Sequence, residues 1–274
     1  MLSLIGDKTI MDKIIKDFYE KYFSADFFGT EDFSQRLKDS VVRNMLIEGK
    51  RLYKFYGFDH RIGLNRQKIE TLKKEKIWCS PYYRFSDKSE FEIKFCGNPF
   101  VGETFLGSEF LESVRQTSNL ASFTYEYSDY MWETYANRGN GFCVEYEILD
   151  TDSFYPVLYD KKDDYDFTVD IIETLRILRS ATSIEDLNNY HYQRLAILPL
   201  VLKDRGLYKD EKEIRFLDRN ENVPLGKDFL GQDISLQECG LKSRAIVVDF
   251  EHCTYREELF QIAKENLYAV RLRR

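Results

Sequence analysis

Apolar residues recur at helical spacing over residues 7–23, where Ile10, Met11, Ile14, Ile15, Phe18 and Tyr22 form one stripe behind Asp7 as a candidate N-cap. Phe33, Leu37, Val41, Met45 and Ile47 predict a second helix over 31–49, with Gly49 as its stop. At Arg51 the pattern changes. A short strand is predicted from Arg51 to Phe55, a helix from Asn65 to Lys74, and a strand from Lys76 to Ser80 that Pro81 ends. Residues 82–107 read as an ordered loop with short strands, Ser108 to Gln116 as a helix and Leu120 to Tyr127 as a strand. Further on, Tyr155 to Leu158 reads as a strand and 167–181 as an amphipathic helix. Residues 184–203 read as a more apolar helix kinked at Pro199. Strands Glu213 to Leu217 and Ala245 to Phe250, helix Thr254 to Asn266 and strand Tyr268 to Leu272 complete the series.

The densest segment is Met131 to Tyr146, which begins Met131-Trp132-Glu133-Thr134-Tyr135 and ends Gly141-Phe142-Cys143-Val144-Glu145-Tyr146. It predicts one or two helical turns, a tight turn over Arg138–Gly141 and a strand over Phe142–Tyr146. Such a corner brings backbone N–H groups and aromatic faces together. It suits a pocket for a flat polar molecule, and equally an ordinary core corner.

The order of elements predicts an α+β fold: a central mixed or antiparallel sheet flanked by helices. Residues 1–50 read as a helical N-terminal extension and 51–274 as a single domain. No strand–helix unit carries a glycine-rich phosphate fingerprint, which removes the dinucleotide-fold and P-loop readings.

Composition narrows the function classes. At 274 residues with 43% hydrophobic and 32% charged positions, the chain reads as a folded protein rather than a disordered one. Net charge is −7, which disfavours extended nucleic-acid binding, because phosphate neutralisation needs clustered Lys and Arg. The five cysteines are scattered, with no C-x-x-C pair and only three His, so no zinc spacing is present. Reduced thiols in a cytoplasm are expected, with no metal and no membrane partner. No apolar run reaches the length of a membrane span, and the N-terminus lacks signal-peptide architecture.

Three segments carry candidate chemistry. On the first strand Tyr53 and Phe55 share one face, while Leu52, Lys54 and Tyr56 share the other. A cation or phenol there can hold a phosphate or stack a base, and Lys54 alone is as well read as a snorkelling lysine. Ser122 and Thr124 share a strand face and can orient a ribose, or form a plain polar face. In Tyr208 to Phe216, an extended chain puts Glu211, Glu213 and Arg215 on one face. A guanidinium beside two carboxylates fixes their geometry, and desolvation fits one for acid–base work or for stabilising oxocarbenium charge. The competing reading is a charge-alternating edge strand.

Taken in order, Leu52-Tyr53-Lys54-Phe55, Ile77-Trp78-Cys79-Ser80-Pro81, Ser122-Phe123-Thr124, Met131-Trp132 with Tyr135-Ala136, Gly141 to Tyr146 and Tyr208 to Arg215 resemble a bacterial domain-of-unknown-function family over about residues 51–250. This chain departs from that pattern at Phe85–Phe91, where an Asn-Asp-Pro-Phe-acidic stretch is usual, and at Tyr56, where Arg is common. The order is also similar to that of mono-ADP-ribosyltransferases. That resemblance implies NAD as co-substrate, with Tyr53 or Lys54 on its phosphates or ribose and Ser122 and Thr124 bracing the site. It further implies Trp132 or Tyr135 stacking on nicotinamide, and Arg215 in the cofactor site. Glu213 then stabilises the oxocarbenium and Glu211 orients or deprotonates the acceptor. A toxin or phage-defence effector fits this activity. A noncatalytic ligand- or protein-binding module is the alternative. A weaker one is a metal-dependent nuclease using Asp87, Glu211 and Glu213.

Overall fold

The structure, a computed structural model, describes residues 4–22, 31–46, 51–85, 116–160, 197–219 and 228–273. Two helices come first, α1 (Leu4–Tyr22) and α2 (Glu31–Met45). Then follow β1 (Arg51–Gly57), α3 (Ile62–Lys73), β2 (Lys76–Pro81), β3 (Ser118–Thr124), α4 (Asp129–Tyr135) and β4 (Gly141–Ile148). Short pieces come next: β5 (Phe154–Pro156), β6 (Leu158–Asp160), α5 (Leu198–Val201), β7 (Leu202–Asp204) and α6 (Arg205–Tyr208). The chain closes with β8 (Glu213–Arg219), β9 (Gln232–Ser235), β10 (Leu241–Val248), α7 (Arg256–Glu265) and β11 (Ala269–Leu272).

The fold is α+β, as the pattern predicts. Its main sheet runs β11-β10-β4-β1-β3-β2-β9, with β8 on β3 and β5 on β8. Every pairing in it is antiparallel except β10–β11, which α7 joins as a crossover, so the sheet is mixed. β1 pairs with β4 from Arg51↔Glu147 to Gly57↔Gly141, but meets β3 at one pair, Tyr53↔Thr124. Further along that edge of β3, β2 takes over at Ser80↔Leu120 and Pro81↔Asn119, while β8 covers the opposite edge along its whole length. The sheet therefore forks beside Tyr53, and the fork leaves room for a cavity.

The N-terminal helices share the sheet's core. Ile15, Phe18, Tyr19, Val42 and Met45 pack in one buried cluster with Leu52, Val144, Phe154 and Ile214. Tyr19 donates to the Pro156 carbonyl at 2.5 Å, and the buried Lys38 donates to the Asp152 carbonyl. A smaller cluster of Phe55, Met131, Trp132, Ala136, Cys143 and Val247 lies on the other face of β1 and β4, beneath α4. Ser128 caps α4 by accepting from the Met131 N–H at 3.4 Å. Gly141 begins β4 where a side chain has no room: a Cβ there would stand 2.2 Å from the Tyr56 carbonyl oxygen.

Two expectations are corrected. The helix predicted over 184–203 does not reach its end. Among its described residues Ile197 ends a 3₁₀ turn, Leu198–Val201 is α-helical, and Leu202–Asp204 pairs in parallel with Leu158–Asp160. An apolar run that short is ambiguous, and strand pairing decides it. Tyr208 to Phe216 is not extended throughout. Lys209–Glu211 makes a 3₁₀ turn, Lys212 adopts a left-handed φ of 49°, and the strand starts at Glu213. The helices predicted over 108–116 (but for Gln116) and 167–181 lie outside the described residues, as do most of the 82–107 loop, Asp87 and Cys96.

Candidate functional site

The cavity in the fork encloses about 200 Å³. Its walls are Tyr53, Lys54 and Phe55 from β1, Ser122, Phe123 and Thr124 from β3, and Met131 and Tyr135 from α4, with Phe85 and Tyr208. Its floor holds Lys203, Glu211 and Glu213. The volume lies below the range of roughly 300–1,000 Å³ usual for drug-sized ligands, so it fits one ring-sized group.

The floor is an ion network. Lys203, at the middle of β7, donates to Glu211 Oε2 at 2.5 Å and to Glu213 Oε2 at 2.7 Å. Arg215, two residues along β8 and so on the same face as Glu213, donates through Nε to Glu213 Oε1 at 2.9 Å. Its other nitrogens reach Glu213 Oε2 at 3.3 Å and the Leu200 carbonyl at 2.6 Å. The Glu213 backbone N–H donates to the Tyr159 hydroxyl at 2.8 Å, and the Tyr135 hydroxyl donates to Glu211 Oε1. All four charged side chains are buried, and two cations balance two anions, which is how buried charge is tolerated. The left-handed turn at Lys212 folds Glu211 back beside Glu213 where an extended chain would carry it onward.

Burial raises the Glu211 carboxyl above the ordinary range, with Lys203 opposing and Glu213 adding to the rise. For Lys203, burial works against the charge, but Glu213 and Glu211 outweigh it and hold the ammonium above its usual value. Burial and the facing Glu211 keep the Tyr135 phenol protonated well beyond the ordinary tyrosine range. Lys54 is pushed down by burial. Its ammonium donates to the Ser122 carbonyl at 2.9 Å and lies 5.1 Å from the Phe123 ring centre.

The structure thus brings Tyr53, Lys54, Ser122, Thr124, Tyr135, Glu211 and Glu213 around one cavity. The Thr124 hydroxyl is engaged by the Glu126 backbone, donating to its carbonyl and accepting from its N–H, each at 3.1 Å. Arg215 stands behind Glu213, fully buried, and acts on the cavity through that carboxylate. Trp132 does not line the cavity. It is fully buried under α4, edge-on to Phe55 at 5.3 Å. Sequence reasoning missed Lys203 and Tyr159, and named Tyr208 only as the start of its segment. The signal for Lys203 was a lone cation closing the apolar run Leu200-Val201-Leu202, where a charge is costly unless paired. Tyr159 carried no comparable signal.

Among the described residues no group of three or more His, Cys, Asp or Glu is arranged to hold a metal ion, and no helix is long and apolar enough to cross a membrane. Cys79, Cys143, Cys239 and Cys253 are free thiols, all buried. Comparison with protein-family models, with curated proteins and with solved structures finds no match to this chain.

Proposed function

We propose that the protein cleaves the N-glycosidic bond of NAD and transfers ADP-ribose to an acceptor or to water, as an ADP-ribosyltransferase-like enzyme. The observation that carries this reading is the convergence of Glu211 and Glu213 on Lys203 at the floor of an aromatic-walled cavity. The nicotinamide ribose enters the cavity so that C1′ reaches Glu213, with Tyr135 and Phe55 as walls, and the remainder of NAD extends outward. The C1′–N bond breaks with its electron pair leaving on nicotinamide. Positive charge then grows on C1′, and Glu213, fixed by Lys203 and Arg215, stabilises it without reorganising. The acceptor oxygen or nitrogen bonds to C1′ and gives its proton to Glu211, whose raised carboxyl pKa suits a base of that kind. Lys54 faces the outgoing phosphates. The four buried thiols suit a reducing compartment, and action in the cytoplasm as a toxin or phage-defence effector belongs to the same proposal.

The test is NAD binding by saturation-transfer NMR and nicotinamide release by purified protein. Release that falls at least about 100-fold in Glu213→Gln supports the reading, since that is the scale of losing one transition-state electrostatic partner. Absence of both binding and release at millimolar NAD overturns it.

One observation favours a noncatalytic binding module instead. Both Glu213 oxygens already accept from Lys203 and Arg215, as in a purely structural ion network. On that reading Tyr135→Ala abolishes ligand capture while Glu213→Gln leaves it intact.

A further inference from the structure

A second cavity, of about 650 Å³, opens on the sheet face that carries Tyr53. It is lined by Tyr53, Tyr127, Glu145, Val247, Arg271 and Leu272. Register explains why these residues meet. Glu145 on β4 stands opposite Tyr53 on β1, Tyr53 opposite Thr124 on β3, and Thr124 opposite Glu213 on β8. Residues paired across strands share a face, so Glu145, Tyr53, Thr124 and Glu213 lie in one row. Three strand spacings separate Glu145 from Glu213 by about 14 Å, so the two cavities are distinct and Tyr53 is their shared wall.

The chemistry here differs from that of the first cavity. Glu145 is 2% exposed in the middle of the sheet. Its Oε2 accepts from Arg271, while its Oε1 lies 3.1 Å from Arg51 Nε as an ion pair with no hydrogen bond directed at it. A buried carboxylate oxygen in that state wants a donor, and a ligand hydroxyl supplies one. The two guanidiniums exceed the one carboxylate by a unit of positive charge, and their side chains are 41% and 46% exposed. Arg271 lines the cavity, and Arg51, bonded to Tyr53 and paired with Glu145, stands beside it, so the exposed guanidiniums offer an anion the fork geometry that matches phosphate. Tyr53 and Tyr127 meet edge to face at 5.5 Å, with Tyr127 partly exposed, and offer a flat ring a stacking surface.

We infer that this second cavity is a nucleoside 5′-monophosphate site. The base packs against Tyr127 and Tyr53, a ribose hydroxyl donates to Glu145, and the phosphate meets Arg51 and Arg271. The volume falls within the range of ligand pockets. The inference does not depend on the first cavity turning over NAD.

Isothermal titration of the full chain with AMP, adenosine and 2′,3′-dideoxy-AMP tests it. AMP binds more tightly than either analogue, because adenosine lacks the phosphate and the dideoxy compound lacks the donors for Glu145. Arg271→Gln, on an exposed edge strand, weakens AMP at least about tenfold and abolishes its advantage over adenosine. Arg51→Gln does the same and serves where Arg271→Gln unfolds. Tyr135→Phe, in the first cavity, leaves AMP affinity within about twofold, a difference too small to reflect a lost hydrogen bond. No AMP binding at millimolar ligand, equal binding in Arg271→Gln and Arg51→Gln, or loss of binding in Tyr135→Phe overturns the inference.

Discussion

At the residue scale, Lys203 decides whether the first cavity exists. It is the cation that both glutamates share, and its removal leaves two buried carboxylates facing each other with Arg215 on one of them. Breaking a buried ion network from one side costs about 3–5 kcal/mol. Lys203→Met is therefore expected to lose that much in urea unfolding near neutral pH, and to recover part of it in acid as one carboxyl takes up a proton. Equal loss at both pH values would mean that the lysine acts by packing. Glu211 gives a second measurement. Its folded carboxyl is raised, so between the ordinary glutamate value and the folded value the native state holds a proton that the unfolded state has released. The stability this confers is complete below the ordinary value and disappears as pH rises through the folded one. Glu211→Gln is expected to remove that fall, measured by denaturant titrations between about pH 4 and 8. The glutamates and Arg215 were legible in the sequence because they sit two residues apart. Lys203 was not, because its contacts arise when β6 pairs with β7, a long-range event that local spacing does not encode.

At the element scale, the sequence announces most of the elements. The alternation of Leu52, Tyr53, Lys54 and Phe55 gives both the strand and its two faces, and the structure puts Leu52 in the main core and Phe55 in the smaller one. The fork in the sheet is invisible in the sequence. It depends on β1 and β2 sharing one edge of β3 while β8 covers the other, and periodicity says nothing about which strands pair. The Met131–Tyr146 corner was legible as helix, turn and strand. Its turn is tighter than the pattern requires, since Gly141 abuts the Tyr56 and Ala136 carbonyls. A methyl group there must push β1 and β4 apart or tilt α4. Gly141→Ala is expected to cost about 1–3 kcal/mol, the range of overpacking, with a lowered melting temperature. Because α4 carries Tyr135, the same variant should also weaken whatever ligand the first cavity holds. A stable Gly141→Ala protein with unchanged ligand binding would show that the corner relaxes without moving α4.

At the scale of the whole molecule, the high tyrosine content becomes a statement about pH. Tyr19, Tyr146 and Tyr159 are deeply buried, and burial drives their phenols well above the ordinary range, as it does for Tyr56. Folded, they keep their protons where the unfolded chain, with phenols near pH 10, gives them up. The native state then binds more protons than the unfolded state, so stability falls as pH climbs past about 10, by about 1.4 kcal/mol per pH unit for each such phenol. Lys38 and Lys54 work the other way. Burial lowers both, so up to the ordinary lysine value the unfolded chain binds the extra proton and stability rises with pH. The lysines' contribution saturates near pH 10.4, where the phenols begin to dominate. The expected profile is flat or gently rising through mildly alkaline pH, followed by a steep cooperative collapse. In that collapse the last increment of phenolate absorbance, from the buried rings, should appear together with the loss of helical circular dichroism. Phenolate forming on all 19 tyrosines at ordinary tyrosine pH while the fold persists would place those rings in water, and would contradict the packing that joins α1 to the sheet through Tyr19 and Pro156.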